Sequence, residues 1–166
     1  MSSTGSESRL YQPIRCWLGE LLKGHNPRAR VEVLDTSQRS LSRVLEDKGW
    51  TGSFQGWETF DVHVDITGFV FGRNRCMIHL IEVKRNPITL RDVGQLLGYC
   101  KVVGPSLGLI VSPRGLSKAM SSLFEVYRRI DVLDYGAGRP IVVARWLETK
   151  HDVDYASLVP QGAALP

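Results

Sequence analysis

The sequence predicts an α/β protein in which a mixed central β-sheet is flanked by helices. Two strand-like runs, DVHVDI (61–66) and CMIHLIEVK (76–84), are spaced as an antiparallel hairpin would require. An amphipathic helix follows between Thr89 and Gly104. The predicted order of elements along the whole chain, α β α β β α β α β β, is typical of a sheet covered by helices.

The chain before the hairpin is expected to contain a helix, a strand and a second, shorter helix. Residues 1–8 are rich in Ser, Gly and Glu and are predicted to be disordered. A helix is predicted from Gln12 to Lys23, because Pro13 suits a first turn and Gly24 suits a helix end. Its apolar stripe is Ile14, Trp17, Leu18 and Leu21. A strand over 28–34 and a helix over 36–48 come next.

The loop at 49–58 is rich in glycine and aromatic residues. Trp50, Phe54 and Trp57 could stack on unpaired bases of a nucleic acid. They could also close the core over the sheet edge, which is the more usual use of such side chains.

The hairpin places polar residues at positions that its apolar pattern does not require. In the first run Val62, Val64 and Ile66 point to one face, so Asp65 points to the other. The second run reads as a central buried strand that ends with Glu82 and Lys84 on one face. Sixteen residues separate Asp65 from Glu82, so the hairpin would lay the two carboxylates side by side. Buried carboxylates are costly unless they are hydrated, paired or bound to a cation.

The helix after the hairpin carries its own start and stop signals. Thr89 followed by Asp92 is a capping-box pattern, and Gly104 with Pro105 ends the helix. Its apolar stripe is Val93, Leu96, Leu97, Cys100 and Val103. Gln95 and Tyr99 lie one turn apart on a neighbouring face, either as functional groups or as the polar flank of an ordinary helix.

The remainder is predicted as a strand over 107–112, a helix over 117–129, and strands over 132–135 and 141–146 that complete the sheet. Periodicity is lost after residue 149. The domain prediction is therefore one domain over 9–149 and a flexible tail over 150–166.

Composition limits the class of protein. The 166 residues include 43% hydrophobic and 23% charged residues, which is typical of a globular protein. There is no 18-residue apolar run, so no membrane association is expected. Three cysteines inside apolar patterns favour reduced thiols and a cytoplasmic protein. The net charge of +4 is compatible with a polyanionic partner.

The polar pattern resembles that of the PD-(D/E)xK nuclease superfamily, which has the restriction-endonuclease-like fold. The resemblance is carried by Asp65, by Glu82-Val83-Lys84 on the next strand, and by Gln95-x-x-x-Tyr99 on the following helix. Val64 stands where the motif name has Pro. The resemblance implies a restriction-endonuclease-like core and a metal-dependent nuclease acting on DNA, either structure-dependent or nonspecific.

The resemblance also implies a role for each of these residues. Asp65, Glu82 and the Val83 backbone carbonyl would be ligands of magnesium (Mg²⁺), for which manganese (Mn²⁺) can substitute. In many relatives a Glu on the first helix completes the metal site; Glu20 could supply it here, or it could be a surface carboxylate. Lys84 would hold or deprotonate the attacking water, or offset charge on the phosphate. Gln95 and Tyr99 would orient the water, Lys84 or the phosphate.

DNA is the expected partner, with RNA left open, and the chain could act as a homodimer or as a subunit of a larger complex. The residues that could contact phosphates are Arg85, Arg91, Arg114 and Lys118; solubility charges are the alternative. A rival interpretation is a non-catalytic nucleic-acid-binding or assembly module that retains the nuclease fold.

Overall fold

A mixed six-stranded sheet forms the centre of the protein, with the strand order β1-β2-β3-β4-β7-β8. The computed structural model describes residues 4–166. The helices are α1 (Thr4–His25), α2 (Leu41–Lys48), α3 (Leu90–Val103) and α4 (Lys118–Ser121). The strands are β1 (Arg30–Asp35), β2 (Ile66–Phe71), β3 (Cys76–Val83), β4 (Leu107–Ser112), β5 (Asp134–Gly136), β6 (Arg139–Pro140), β7 (Val142–Leu147) and β8 (Asp152–Val159).

The pairing directions confirm the predicted mixed sheet. Strands β1, β2 and β3 pair antiparallel, β3, β4 and β7 pair parallel, and β8 pairs antiparallel with β7. The predicted hairpin is therefore β2–β3, and the helices α3 and α4 follow β3 and β4 as crossovers between parallel strands. Consequently β3 and β4 end at the same edge of the sheet.

The two faces of the sheet are covered by different helices. On β3, Leu80 belongs to the cluster that includes residues of α2, α3 and α4, whereas Ile81 and Val83 belong to the cluster built around α1. Glu82 has the parity of Leu80, so it points towards the α3 side. Gly108 on β4 allows α3 to approach, since a Cβ there would lie 2.5 Å from the Cys100 sulfur.

The predicted start of the first helix is wrong. Helix α1 begins at Thr4, so Pro13 lies inside it instead of in its first turn. Of the segment predicted to be disordered, residues 1–3 lie outside the described residues and residues 4–8 belong to α1. A single internal proline removes one helix hydrogen bond. The burial of Leu10 and Ile14 on either side of Pro13 shows what offsets that loss.

The first run of the hairpin enters the sheet later than predicted. Residues 61–65 lie before β2 and outside any strand. They bond to the segment after β1, where the Thr36 N–H donates to the Asp65 carbonyl (2.9 Å) and the Leu41 N–H donates to the Val62 carbonyl (2.9 Å).

The predicted alternation of buried and exposed residues is present before Asp65. Val62 and Val64 are buried, whereas Asp61 is exposed. The prediction that Val62, Val64 and Ile66 share one face is wrong, because the chain bends at Asp65: Val62 and Val64 pack in the cluster with α2 and α3, whereas Ile66 packs in the cluster built around α1.

The C-terminal part of the chain differs most from prediction. The helix predicted over 117–129 is α4 followed by a π-helical turn, Ser122–Val126. The strand predicted over 132–135 does not join the central sheet, because β5 pairs with β6 in a separate two-stranded sheet. The tail predicted over 150–166 is wrong for 152–159, which form the edge strand β8. Irregular burial along β8, where Val153 and Leu158 are the buried residues, hides the two-residue period.

The aromatic loop closes the core, as its more usual interpretation predicted. Trp50 packs edge-on against Phe69 and Phe71, and Phe54 contacts the same pair. Trp57 is partly buried against this cluster. Among residues 4–166, the structure contains no helix with the length and apolar character needed to cross a membrane.

Candidate functional site

The residues that carry the sequence motif meet at the C-terminal end of β3. Ile66 pairs with Ile81 in the β2–β3 ladder, and one further step brings Asp65 opposite Glu82. The motif glutamate, the motif lysine and the helix α3 glutamine are connected by hydrogen bonds. The predicted cluster of Asp65, Glu82 and Lys84 is therefore present at this end of the sheet.

Asp65 is held by hydrogen bonds to both of its carboxylate oxygens. The Val83 N–H donates to Oδ2 at 2.8 Å, and the Tyr11 hydroxyl donates to Oδ1 at 2.6 Å. Tyr11 was missed in the sequence. Extending the stripe of Ile14 and Leu18 one turn upstream reaches position 11, so a longer predicted helix would have identified it.

Glu82 is the most buried charged group of the site, with 3% of its surface exposed. Its Oε1 accepts a hydrogen bond from the Lys84 ammonium at 2.8 Å and a longer one from the Gln95 amide at 3.4 Å. Its Oε2 is buried and has no hydrogen-bond partner among the described residues. An unpartnered buried carboxylate oxygen is costly and is consistent with a site for a cation.

Burial raises the pKa values of both acids. Burial, followed by repulsion from Asp65, raises the pKa of Glu82 to about 7. Burial also raises the pKa of Asp65, and the hydrogen bonds from Tyr11 and Val83 oppose this only in part. Burial would lower the pKa of Lys84, but attraction to Glu82 outweighs it and raises that pKa. Lys84 is therefore a cation at neutral pH.

Helix α3 supplies the second half of the motif. Its start is fixed by the predicted capping box, in which Thr89 and Asp92 bond reciprocally. Gln95 donates to the Tyr99 hydroxyl at 3.2 Å in addition to its contact with Glu82. Asp92 lies 3.9 Å from the Lys84 ammonium, so the helix also adds a second negative charge beside the lysine.

We expect Tyr11→Phe to raise the pKa of Asp65 further, because the lost hydroxyl stabilises the ionised carboxylate. The measurement is an NMR titration of the Asp65 carboxyl carbon. Tyr99→Phe is the matched control, since Tyr99 contacts Gln95 and not Asp65. An unchanged Asp65 pKa in Tyr11→Phe would contradict the role assigned to this hydrogen bond.

Glu20 is not brought to this cluster. It lines a surface depression with Lys23 and Glu32. It follows Tyr11 by nine residues, about 14 Å along the axis of α1 at 1.5 Å per residue. The carboxylate that does approach is Asp35, at the end of β1 opposite Ile66, and its charge contributes to the raised pKa of Asp65.

The donor set suits a hard divalent cation that keeps most of its waters. Residues 4–166 contain no group of three or more His, Cys, Asp or Glu side chains arranged around a metal position. The protein ligands would be Asp65, Glu82 through its unpartnered Oε2, and the Val83 backbone carbonyl. Magnesium is commonly held by one or two carboxylates with water completing its shell, so these residues fit it.

The four basic candidates are all exposed, at the edge of the sheet where β3 and β4 end. Arg85 follows β3 and Arg114 follows β4, and the Ser112 hydroxyl ties the two loops by donating to the Asn86 carbonyl at 2.8 Å. The other two candidates, Arg91 and Lys118, lie in the first turns of α3 and α4. Sequence reasoning missed Arg145 on β7, which is level with Ser112.

Comparison of the chain with protein-family models, with curated proteins and with solved structures finds no match. The class of fold established by the geometry is an α/β protein with a mixed six-stranded sheet flanked by helices.

Proposed function

We propose that the chain is a metal-dependent phosphodiester hydrolase acting on DNA, a structure-dependent or nonspecific nuclease of the PD-(D/E)xK type on a restriction-endonuclease-like core. One observation carries the proposal. The buried Glu82 lies beside Asp65 with an unpartnered oxygen, and Lys84 is bonded to the same carboxylate. A purely structural ion pair would not need two adjacent acids whose pKa values are both raised.

In this proposal Asp65, Glu82 and the Val83 carbonyl hold magnesium. Bound there, the metal supplies Lewis-acid activation of water and charge stabilisation on the phosphate. The Tyr11 hydroxyl and the Val83 N–H orient the Asp65 carboxylate. Such outer partners fix the direction of a ligand and increase its affinity for the metal.

The positive charge of Lys84 determines which of its predicted roles is favoured. Its raised pKa keeps the ammonium protonated, so it is poorly suited to remove a proton from water. Lys84 instead offsets the negative charge that develops on the phosphate. Gln95 donates to both Glu82 and Tyr99 and is itself an exposed residue, so it joins the buried acid to the surface of α3.

The proposal is tested by incubating the protein with supercoiled, linear, single-stranded and branched DNA, and with RNA, with magnesium or manganese and with a chelator. Cleavage of at least one DNA that requires the metal is expected. Binding without cleavage of any substrate would instead support the non-catalytic nucleic-acid-binding module.

Gln95→Ala and Tyr99→Phe are expected to slow single-turnover cleavage by about tenfold or more, within the range for a lost orienting contact. Gln95 is exposed, and Tyr99→Phe keeps the ring that packs partly against the core, so the melting temperature should change little. Lys101→Ala, an exposed change on the same helix, is the control. Unchanged cleavage rates in both variants would show that α3 takes no part in the reaction.

Binding to DNA is expected to be mainly electrostatic, because the exposed arginines and lysines at the sheet edge suit contacts with phosphates. Affinity should fall with salt with a log–log slope of about −0.9 per phosphate neutralised on duplex DNA. The measurement uses the Asp65→Asn protein and unrelated duplexes across a salt series. A single sequence bound on the order of 1,000-fold more tightly would indicate direct base recognition and contradict this expectation.

A further inference from the structure

A second concave site lies between the π-helical turn and the last two strands of the sheet. The cavity has a volume of about 390 Å³. Its apolar lining includes Leu116, Phe124, Ile130, Val143 and Leu158. Pockets for small organic groups have volumes of about 300–1,000 Å³ and combine apolar walls with a few polar groups, so this cavity could hold a planar ring.

Two guanidinium groups line the same cavity. Arg128 and Arg145 are both exposed, and neither has a carboxylate within salt-bridge distance among the described residues. Glu125 is the carboxylate residue among those lining the cavity, so the arginines outnumber the acids. Arginine presents several N–H donors that match the oxygens of a phosphate.

Arg145 is held by hydrogen bonds, and Arg128 has an unusual backbone conformation. The Arg145 side chain donates from Nε to the Pro113 carbonyl at 3.2 Å, and the backbone N–H of Arg145 donates to the Ser157 hydroxyl at 2.8 Å. Arg128 follows the π-helical turn with a left-handed φ of 56°. That conformation is unfavourable for a residue with a side chain, and both it and π-helical turns are frequent at functional sites.

The cavity and the Asp65–Glu82 cluster lie along the same edge of the sheet. Val143 and Arg145 belong to β7, which is two strands from β3 in the sheet order. Two strand spacings correspond to about 10 Å. The turn after β4 joins the two regions, since Gly115 lines the cavity and its carbonyl accepts the Ile88 N–H at 2.8 Å.

We infer that the cavity binds one nucleotide of the nucleic-acid substrate outside the base stack, with the base among the apolar side chains and the phosphate on Arg128 and Arg145. This inference rests on the proposed function, because it places the nucleotide close to the phosphate that is cleaved. It adds a substrate class: the preferred DNA has an unpaired or frayed nucleotide near the cleavage site. Duplex DNA would have to unstack a base to fill the cavity.

The test is binding of deoxynucleoside monophosphates to the full chain in the presence of a chelator, followed by NMR amide shifts and calorimetry. Nucleotides should shift the amides of Leu116, Phe124 and Leu158, and should bind more tightly than inorganic phosphate or a nucleoside without phosphate. Arg128→Gln and Arg145→Gln should each weaken binding by about tenfold, the effect of one lost charged hydrogen bond. Ser121→Phe, which adds a ring to a lining residue, should abolish binding.

Arg129→Gln is the matched control, because Arg129 adjoins Arg128 but pairs with Asp131 at 2.8 Å and does not line the cavity. It should change affinity by less than about twofold, as expected for an exposed ion pair. Three results would overturn the inference: no nucleotide binding, equal affinity for inorganic phosphate, or equal losses in Arg129→Gln and Arg128→Gln. Because nucleotide binding is measured without metal, its result does not depend on whether the protein cleaves DNA.

Discussion

Asp65→Asn and Glu82→Gln are each expected to lower magnesium-dependent DNA cleavage by about 1,000-fold, the upper range for removing one charge-stabilising group from an active site. Each substitution keeps the size of the side chain and removes its charge. Glu82→Gln leaves an amide oxygen that can still accept a hydrogen bond from Lys84, so the local fold should survive. The measurements are single-turnover cleavage and, separately, calorimetric titration with manganese, which should show lost metal binding.

Two further carboxylates provide controls for this result. Asp61→Asn removes an exposed charge four residues before Asp65 and should leave cleavage unchanged. Glu20→Gln should also leave it unchanged, because Glu20 lines a depression with Lys23 and Glu32. Wild-type cleavage by both Asp65→Asn and Glu82→Gln would show that the cluster is not the active site.

The contribution of Glu82 to the free energy of unfolding of the metal-free protein is expected to fall as the pH rises from about 4.5 to about 7. Burial lowers the pKa of His79 to about 4, so His79 contributes a change of the opposite sign over much of the same range. The effect of Glu82 is therefore measured as the difference between the wild type and Glu82→Gln. Glu82 has an ordinary pKa of 4.5 and a raised pKa of about 7 in the folded state. Between these values the folded protein holds a proton on Glu82 that the unfolded chain has released, so the contribution of Glu82 to stability decreases with pH. At 1.36 kcal/mol per unit, Glu82 alone contributes a loss of about 3 kcal/mol at most.

Glu82→Gln should remove this contribution, so the stability of the variant should increase relative to the wild type between pH about 4.5 and about 7 and exceed it above that range. The measurement is urea unfolding from pH 4 to pH 8 in a chelator. Glu58→Gln removes an exposed glutamate and serves as the control, for which the wild-type slope should remain. The raised pKa of Lys84 affects stability only at alkaline pH, outside this range. Parallel curves for the wild type and Glu82→Gln would mean that Glu82 ionises normally.

Local patterns in the sequence were sufficient to predict the elements at the centre of the protein. The β2–β3 hairpin and α3 were predicted correctly, because their apolar periods and caps act between residues close in the chain. The spacing of the two strands also predicted that Asp65 and Glu82 lie close together, and the repulsion between them agrees with this. The restriction-endonuclease-like core and the nuclease activity were inferred from the motif, and they stay predictions.

Other features depend on contacts between residues far apart in the chain. Tyr11 reaches Asp65 across 54 positions, and only the packing of α1 on the sheet brings the two together. Strand β8 has no clear two-residue period, and its pairing with β7 stabilises it. The packing of α1 on the sheet also places Glu20 away from the cluster. The sequence by itself determined the hairpin, the α3 helix and the polar motif, because they depend on local periodicity. Only the tertiary structure decided which side chains complete the site, because contacts between distant elements depend on how helices and strands pack in three dimensions.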